Sequence, residues 1–153
     1  MTKTFTTMDV VNIFEWYQNA RKDKRLNGFD LKTQWLIRKN IDKILPTVES
    51  FENFRKEKTD EINEAWFTKE RSHIITTEDG QEARQINDEY LDEFNKEVSR
   101  VNDELQSILA EKVEIELGTA DIDAIVEKAS DDSGISVDDI EILSILLTEN
   151  DKG

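Results

Sequence analysis

Apolar side chains recur at helical spacing near the start of the chain, at Val10, Ile13, Tyr17 and Ala20. This spacing predicts a first helix over about residues 7–25. Thr6 precedes this stretch and Asp9 follows three positions later, which is the pattern of a capping box with Asp in place of Glu. Asn27-Gly28 then predicts a left-handed residue where the helix ends.

A second helix is predicted from Leu31 to Thr68, with Asp30 as its N-cap. Its apolar side recurs in steps of four and three, at Ile37, Ile41, Ile44, Val48 and Phe51. Pro46 falls inside this stretch and predicts a kink or a helix restart, because its ring clashes with the preceding turn. Trp35 and Trp66 lie near the apolar side, so we expect both to be core residues.

Residues 72–87 favour extended structure around a turn at Asp79-Gly80, so they predict a β-hairpin. The third helix follows, with a heptad seam at Leu91, Phe94, Val98, Val101, Leu105 and Ile108. A seam with this spacing packs closely on another helix. We expect helices two and three to fold back as an antiparallel hairpin, and an intermolecular coiled coil is the alternative use of the seam.

After the third helix the apolar period changes to two, at Val113, Ile115 and Leu117, which predicts a half-buried strand. Thr4–Thr6 and the region of Ile74 are its two candidate partners. Two short helices are predicted to follow, over residues 120–129 and 137–147, the second capped by Ser136. The fold class is therefore mostly α (α+β): a long antiparallel helical hairpin with a small β element and a helical C-terminal cap. We expect a single domain over residues 1–153, made of parts 1–28, 29–111 and 112–153.

The formal net charge of −15 is distributed unevenly along the chain. Residues 1–72 carry a net charge of +2, whereas residues 73–153 carry a net charge of −17. The acidic half would repel nucleic acid and anionic membranes, and it would attract a protein with a basic surface. Direct nucleic-acid binding and membrane association are therefore not expected. A simpler interpretation is that the acidity keeps the protein soluble.

The sequence offers no catalytic or cofactor motif. It has no Cys, one histidine (His73) and no glycine-rich phosphate loop. Asp131-Asp132-Ser133-Gly134 resembles part of a calcium loop, but with Gly134 as the sixth residue the end ligands would be Ala129 and Ile140. We therefore predict no enzyme activity, no cofactor and no metal site.

The acidic surface is the candidate partner-binding site. Dense carboxylates on a helix approach the charge spacing of duplex DNA, which is the physical basis of DNA mimicry. A solvated face is the simpler interpretation of the same residues. Basic residues near the end of helix one are expected to pair with the acidic half, within the molecule or in a homodimer. The candidate site residues are Asp88, Glu89, Asp92, Glu93, Asp103, Glu104, Asp131, Asp132, Asp138 and Asp139.

Several phrases of the chain together resemble a family of small proteins encoded by tailed phages and prophages of Gram-positive bacteria, catalogued as domain of unknown function 1617. The phrases are residues 37–46, Glu78-Asp79-Gly80, residues 94–97, residues 113–117 and residues 135–147. The resemblance covers about residues 31–147. It implies phage origin and action inside an infected cell, and it supplies no catalytic residues.

The acidic second half of the chain, the heptad seam of the third helix and the resemblance to the phage family together indicate two alternative functions. The first is a host-directed inhibitor of a defence or nucleic-acid enzyme, of the anti-CRISPR or anti-restriction type, with DNA mimicry as one candidate mode of action and an apolar interface as the other. The alternative is a virion assembly chaperone, scaffold or minor structural protein. The predicted partner is a host or phage protein with a basic surface, met in the host cytoplasm, and a homodimer is compatible with both functions.

Overall fold

The computed structural model describes residues 1–129 and 134–148. Long helices alternate with short antiparallel strands, so the prediction of a mostly α (α+β) fold is confirmed. The elements are β1 (Thr2–Thr6), α1 (Thr7–Lys22), a 3-10 helix (Arg25–Gly28), α2 (Leu31–Trp66), β2 (Ser72–Thr76), β3 (Glu82–Ile86), α3 (Asp88–Leu109), β4 (Lys112–Glu116), α4 (Ile122–Lys128) and α5 (Val137–Leu147).

Backbone contacts divide the chain into two compact units. Unit 1 comprises Met1–Glu49 and Ala110–Gly153, and unit 2 comprises Ser50–Leu109. Helix α2 contributes its first part to unit 1 and its last part to unit 2. The expectation of a single domain stays a prediction.

In unit 1, β1 and β4 form a two-stranded antiparallel sheet. Thr2 is opposite Glu116 and Phe5 is opposite Val113. Of the two candidate partners for the last strand, the N-terminal segment is therefore the correct one. Phe5 and Ile115 point into the core, while Glu114 and the other alternate positions are exposed, as the period of two predicts.

The capping box predicted at the start of α1 is present. The Oγ1 atom of Thr6 accepts from the Asp9 backbone nitrogen at 3.1 Å, and the Asp9 carboxylate accepts from the Thr6 nitrogen at 3.0 Å. The helix ends earlier than expected, at Lys22, and the left-handed residue is Lys24 with a φ of 60°. The prediction of a left-handed residue at Asn27-Gly28 is wrong, because the 3-10 helix takes up those two residues.

Helix α2 is continuous through Pro46, so the helix does not restart there, and the alternative of a kink stays a prediction. A proline inside a helix costs about 3 kcal/mol, because a hydrogen bond is lost and the ring clashes with the preceding turn. Ile44 and Val48, which flank Pro46, are fully or nearly fully buried. Each such side chain contributes about 1.5–3 kcal/mol on burial, so the two together outweigh the cost of the proline.

The core of unit 1 is a single apolar cluster that draws on every helix of that unit. Its residues are Phe5, Val10, Ile13, Trp16, Tyr17, Ala20, Leu26, Phe29, Ile37, Ile41, Ile44, Val48, Ile115, Leu117, Ile125, Leu143, Leu146 and Leu147.

Two of the polar side chains buried in unit 1, those of Asn40 and Lys3, bind backbone groups distant in sequence. The Asn40 amide donates to the Gly118 and Leu146 carbonyl oxygens, at 2.9 and 3.3 Å, and its oxygen accepts from the Gly118 nitrogen at 2.9 Å. The Lys3 ammonium donates to the carbonyl oxygens of Ile145 and Thr148 at the end of α5. Burial lowers the pKa of Lys3. These contacts join α2 and β1 to the segment after β4 and to the end of α5 within unit 1.

In unit 2, the last part of α2 and α3 form the predicted antiparallel hairpin. Phe94 makes edge-to-face contacts with Trp66 and Phe67, with ring centroids 5.9 and 5.7 Å apart. Val101 and Leu105 of the heptad seam are buried within the single chain, which assigns them to an intramolecular core.

The predicted β-hairpin between these helices is also present, with β2 paired to β3. Gly80 has a φ of 78°, and its nitrogen donates to the Thr77 carbonyl oxygen at 2.9 Å. The Thr77 nitrogen in turn donates to the Gln81 carbonyl oxygen at 2.8 Å, which closes the loop. A three-residue loop of this kind favours glycine at the left-handed position, so the turn predicted at Asp79-Gly80 is confirmed.

Candidate functional site

Four of the predicted site residues form one exposed acidic surface on the first turns of α3. We call Asp88, Glu89, Asp92 and Glu93 the acidic end of α3. All four side chains are exposed. Within residues 1–129 and 134–148, none of these carboxylates has an ion-pair partner. Their charges therefore face solvent, and the positive end of the helix dipole stabilises them.

The start of α3 is held in place by hydrogen bonds within unit 2. The Asn87 nitrogen donates to the Arg71 carbonyl oxygen at 2.8 Å, and the Asn87 amide donates to the Glu70 carbonyl oxygen at 3.2 Å. The Asn87 side-chain oxygen is also 2.6 Å from the His73 Nδ1 atom. The Arg71 guanidinium lies over the Trp66 ring, 4.7 Å from its centroid. These contacts fix the orientation of the acidic end, so binding requires little ordering of this surface.

Asp103 and Glu104 lie farther along α3, and they differ in whether their carboxylates already have an ion-pair partner. Both are exposed. Arg100 forms ion pairs with Glu104 at 2.9 Å and with Glu97 at 2.5 Å. The hydrogen bond from Arg100 lowers the pKa of Glu97, and the same bond raises the pKa of Arg100. Glu104 therefore already has a cationic partner, whereas Asp103 has no ion-pair partner among the described residues.

The predicted site residues outside α3 come later in the sequence, between residues 131 and 139. Asp138 is exposed on the first turn of α5, in unit 1. Asp131 and Asp132 lie outside the described residues. The prediction of Asp139 as a partner-binding residue is wrong, because only 3% of its surface is exposed. A carboxylate so deeply buried has no area left for a partner.

Asp139 is instead the centre of a polar network inside unit 1. Its carboxylate accepts from the Trp16 indole nitrogen at 2.8 Å, from Arg25 Nε at 3.1 Å and from the Ser136 backbone nitrogen at 2.9 Å. Burial by itself would raise the pKa of this carboxyl. The three hydrogen bonds and the Arg25 charge outweigh burial, so the pKa of Asp139 lies below its ordinary value of 3.8. For Arg25, the expected pairing of the basic segment with the acidic half is confirmed.

The structure also shows a groove in unit 1 that the sequence analysis missed. The Trp35 groove has a volume of about 380 Å³, and its lining includes Tyr17, Arg21, Lys24, Leu31, Trp35 and Arg38. Trp35 is 64% exposed and Leu31 is 81% exposed, so the prediction of Trp35 as a core residue is wrong. Trp35 precedes the buried Ile37 by two residues, which places it about 200° around the helix from the core side.

The charge of the Trp35 groove is opposite to that of the protein as a whole. Arg21, Lys24 and Arg38 are exposed, and no carboxylate lines the groove. Arg38 pairs with Asp42 at 3.4 Å, whereas Arg21 and Lys24 have no ion-pair partner in the described part of the chain. The sequence did carry a signal for this surface, because Trp35 falls outside the steps that join Ile37, Ile41 and Ile44.

In the part of the chain that the structure describes, no three His, Asp or Glu side chains converge in an arrangement that could hold a metal ion. His73 is exposed and contacts Asn87. None of the described helices combines the length and the apolar character needed to cross a membrane.

Comparison with known proteins gave no match among family models, curated proteins or solved structures. The resemblance to the phage family therefore stays a prediction.

Proposed function

We propose that this chain is a phage-encoded acidic protein that binds and inhibits a host defence or nucleic-acid enzyme inside the infected cell. The observation that carries the proposal is the acidic end of α3, with four exposed carboxylates that have no cationic partner in the described chain. Uncompensated charge on a rigid helix is complementary to a basic surface that normally holds nucleic acid. The proposed mode of action is steric, because the bound protein would occupy the phosphate-binding surface of its target.

The spacing of these charges sets the extent of the mimicry. Asp88 and Glu93 are about 7.5 Å apart along the axis, since a helix rises 1.5 Å per residue. Four charges over this length approach the spacing of duplex DNA, which carries about one charge per 1.7 Å. Farther along α3, Arg100 neutralises part of the charge of Glu97 and Glu104. The mimicry we propose is therefore local, at the scale of a few phosphates, and does not extend along the whole helix.

The proposal assigns no catalytic role and no cofactor to the chain. The basic partner surface would contact the acidic end first through long-range attraction, which raises the association rate at low ionic strength. Asp103 lies on the same helix and would extend this field. We therefore expect association with the partner to slow steeply as salt is added.

The partner is identified by capture with tagged protein from infected Gram-positive host cells, followed by mass spectrometry. The capture is carried out at about 100 mM and at about 500 mM salt. The Debye screening length falls from roughly 10 Å to roughly 4 Å between these two conditions, so electrostatic attraction to the partner is weaker in the second. A host nuclease, polymerase or CRISPR effector that is captured only at low salt, and that duplex DNA displaces, supports the proposal. Binding that neither salt nor DNA affects would contradict mimicry.

An assembly factor is the second candidate function, and the exposed apolar residues of the Trp35 groove favour it. Leu31 and Trp35 offer a second surface, apart from the acidic end, that another protein could cover. Capture of a phage capsid or tail protein in the same experiment would support this candidate and would contradict the inhibitor proposal.

A further inference from the structure

The Trp35 groove differs in chemistry from the rest of this acidic protein. It places two exposed apolar side chains, Leu31 and Trp35, beside three cations and no carboxylate. Such a surface fits an occupant that carries both negative charge and an apolar side chain. An occupant with only negative charge would leave Leu31 and Trp35 uncovered, and one with only an apolar side chain would leave the cations unpaired.

The acidic end of α3 has this combination. Leu91 is 41% exposed and stands in the sequence between Glu89 and Asp92. The exposed Leu91 could pack against the exposed Trp35 and Leu31, while the carboxylates of the acidic end are complementary in charge to the groove cations. We propose that the Trp35 groove binds the acidic end of α3 from a second copy of this chain.

Such a contact joins two different surfaces, so it is heterologous. Each copy offers one groove and one acidic end, and the contact pairs Leu91 of one copy with Trp35 and Leu31 of the other. The carboxylates of the acidic end then lie against Arg21, Lys24 and Arg38. The association is reversible, because only a small part of each surface takes part.

The net charge of −15 opposes the approach of two copies at long range. At about 150 mM salt, exposed charges more than roughly 8 Å apart are largely screened, whereas ion pairs in direct contact are screened less. At moderate ionic strength, the attraction between the groove cations and the acidic end therefore outweighs the repulsion between distant charges of the two copies. High salt weakens the contact itself.

This inference goes beyond the proposed inhibitor function and does not depend on it, because purified protein alone suffices for the test. The two are linked in one respect. Asp88–Glu93 cannot be covered by a second copy and by a basic partner at the same time, so self-association and partner binding compete.

Sedimentation equilibrium of the full chain over a range of concentrations tests the proposal. We expect the average mass of the wild-type protein to rise above 17.8 kDa with concentration. The groove variant Arg21→Glu/Lys24→Glu and the helix variant Asp92→Lys/Glu93→Lys should each associate at least tenfold more weakly. The control variant Lys32→Glu/Lys39→Glu removes two exposed cations of α2 that do not line the groove, and should associate like the wild type.

An equimolar mixture of the groove variant and the helix variant distinguishes a specific contact from a loss of fold. The mixture should recover association that neither variant shows alone, because the intact groove of the helix variant can bind the intact acidic end of the groove variant. The two reversed surfaces are also complementary to each other. A wild-type protein that stays monomeric at every concentration would overturn the proposal and leave the groove to another occupant. A mixture that stays monomeric, or a groove variant that associates like the wild type, would overturn it as well.

Discussion

The Trp16 indole nitrogen donates a hydrogen bond to the Asp139 carboxylate at 2.8 Å, and the two residues are 123 positions apart in the chain. This bond joins the core side of α1 to the first turn of α5 within unit 1. Arg25 contributes the cation that compensates the buried charge. Asp139 therefore both completes the capping box with Ser136 at the start of α5 and attaches that helix to the N-terminal part of unit 1.

Asp139→Ala should lower the free energy of unfolding by about 3 kcal/mol, because it leaves Arg25 and the Trp16 nitrogen without their shared acceptor. The matched control is Asp138→Ala, since Asp138 is exposed on the same helical turn. The control should change stability by about 0.5 kcal/mol or less. Urea denaturation followed by circular dichroism measures both values. Equal losses in the two variants would show that the buried network contributes nothing specific.

The lowered pKa of Asp139 predicts a dependence of stability on acid pH. Because the carboxyl binds a proton less readily in the folded protein, its contribution to stability is fully present well above 3.8. This contribution is lost as the pH falls from about 3.8 through the lower pKa of the folded state. Urea titrations at a series of acid pH values should show a shallower decline for Asp139→Asn than for the wild type. Parallel curves would contradict this assignment.

Asn40 is the second polar link in unit 1, and only 2% of its surface is exposed. Asn40→Ala should lower the free energy of unfolding by about 2–3 kcal/mol, because it removes three hydrogen bonds that each contribute about 1 kcal/mol. Asn12→Ala, at an exposed position of α1, is the control and should have little effect. Thermal unfolding of Asn40→Ala and of Asn12→Ala, each compared with the wild type, measures the two changes in stability. A small shift for Asn40→Ala would indicate that water replaces the amide.

The three tryptophans differ in exposure, which predicts how they respond to a quencher. Trp35 is 64% exposed, whereas Trp16 and Trp66 are 8% and 9% exposed. Acrylamide should quench one fraction of the fluorescence readily, and Trp35→Phe should remove that fraction. Trp66→Phe is the control and should leave it in place. Loss of the readily quenched fraction in the control alone would place Trp35 in the core.

The helices and strands were largely predictable because they depend on local periodicity. Val113, Ile115 and Leu117 predicted β4, and the Thr6–Asp9 pair predicted the start of α1. The exceptions depend on tertiary contacts. Pro46 does not interrupt α2 because the buried side chains around it outweigh its cost, and a sequence pattern does not show that balance.

The candidate site was less predictable, because a sequence shows which residues are acidic but not which are buried. Asp138 and Asp139 are neighbours in the sequence, yet one is exposed and the other is buried against Trp16 and Arg25. The Trp35 groove brings together residues of α1 and α2 and the turn between them. Only the fold shows that they lie close together.

The most direct test of the proposed function neutralises the acidic end of α3 and measures capture of the host partner. The variant is Asp88→Asn/Glu89→Gln/Asp92→Asn/Glu93→Gln. The control, Glu49→Gln/Glu57→Gln/Asp60→Asn/Glu64→Gln, removes the same number of exposed charges from α2. Both should fold, as circular dichroism would show. We expect the first variant to lose capture of the partner at low salt and the control to retain it. Equal capture by the two variants would contradict a role for the acidic end.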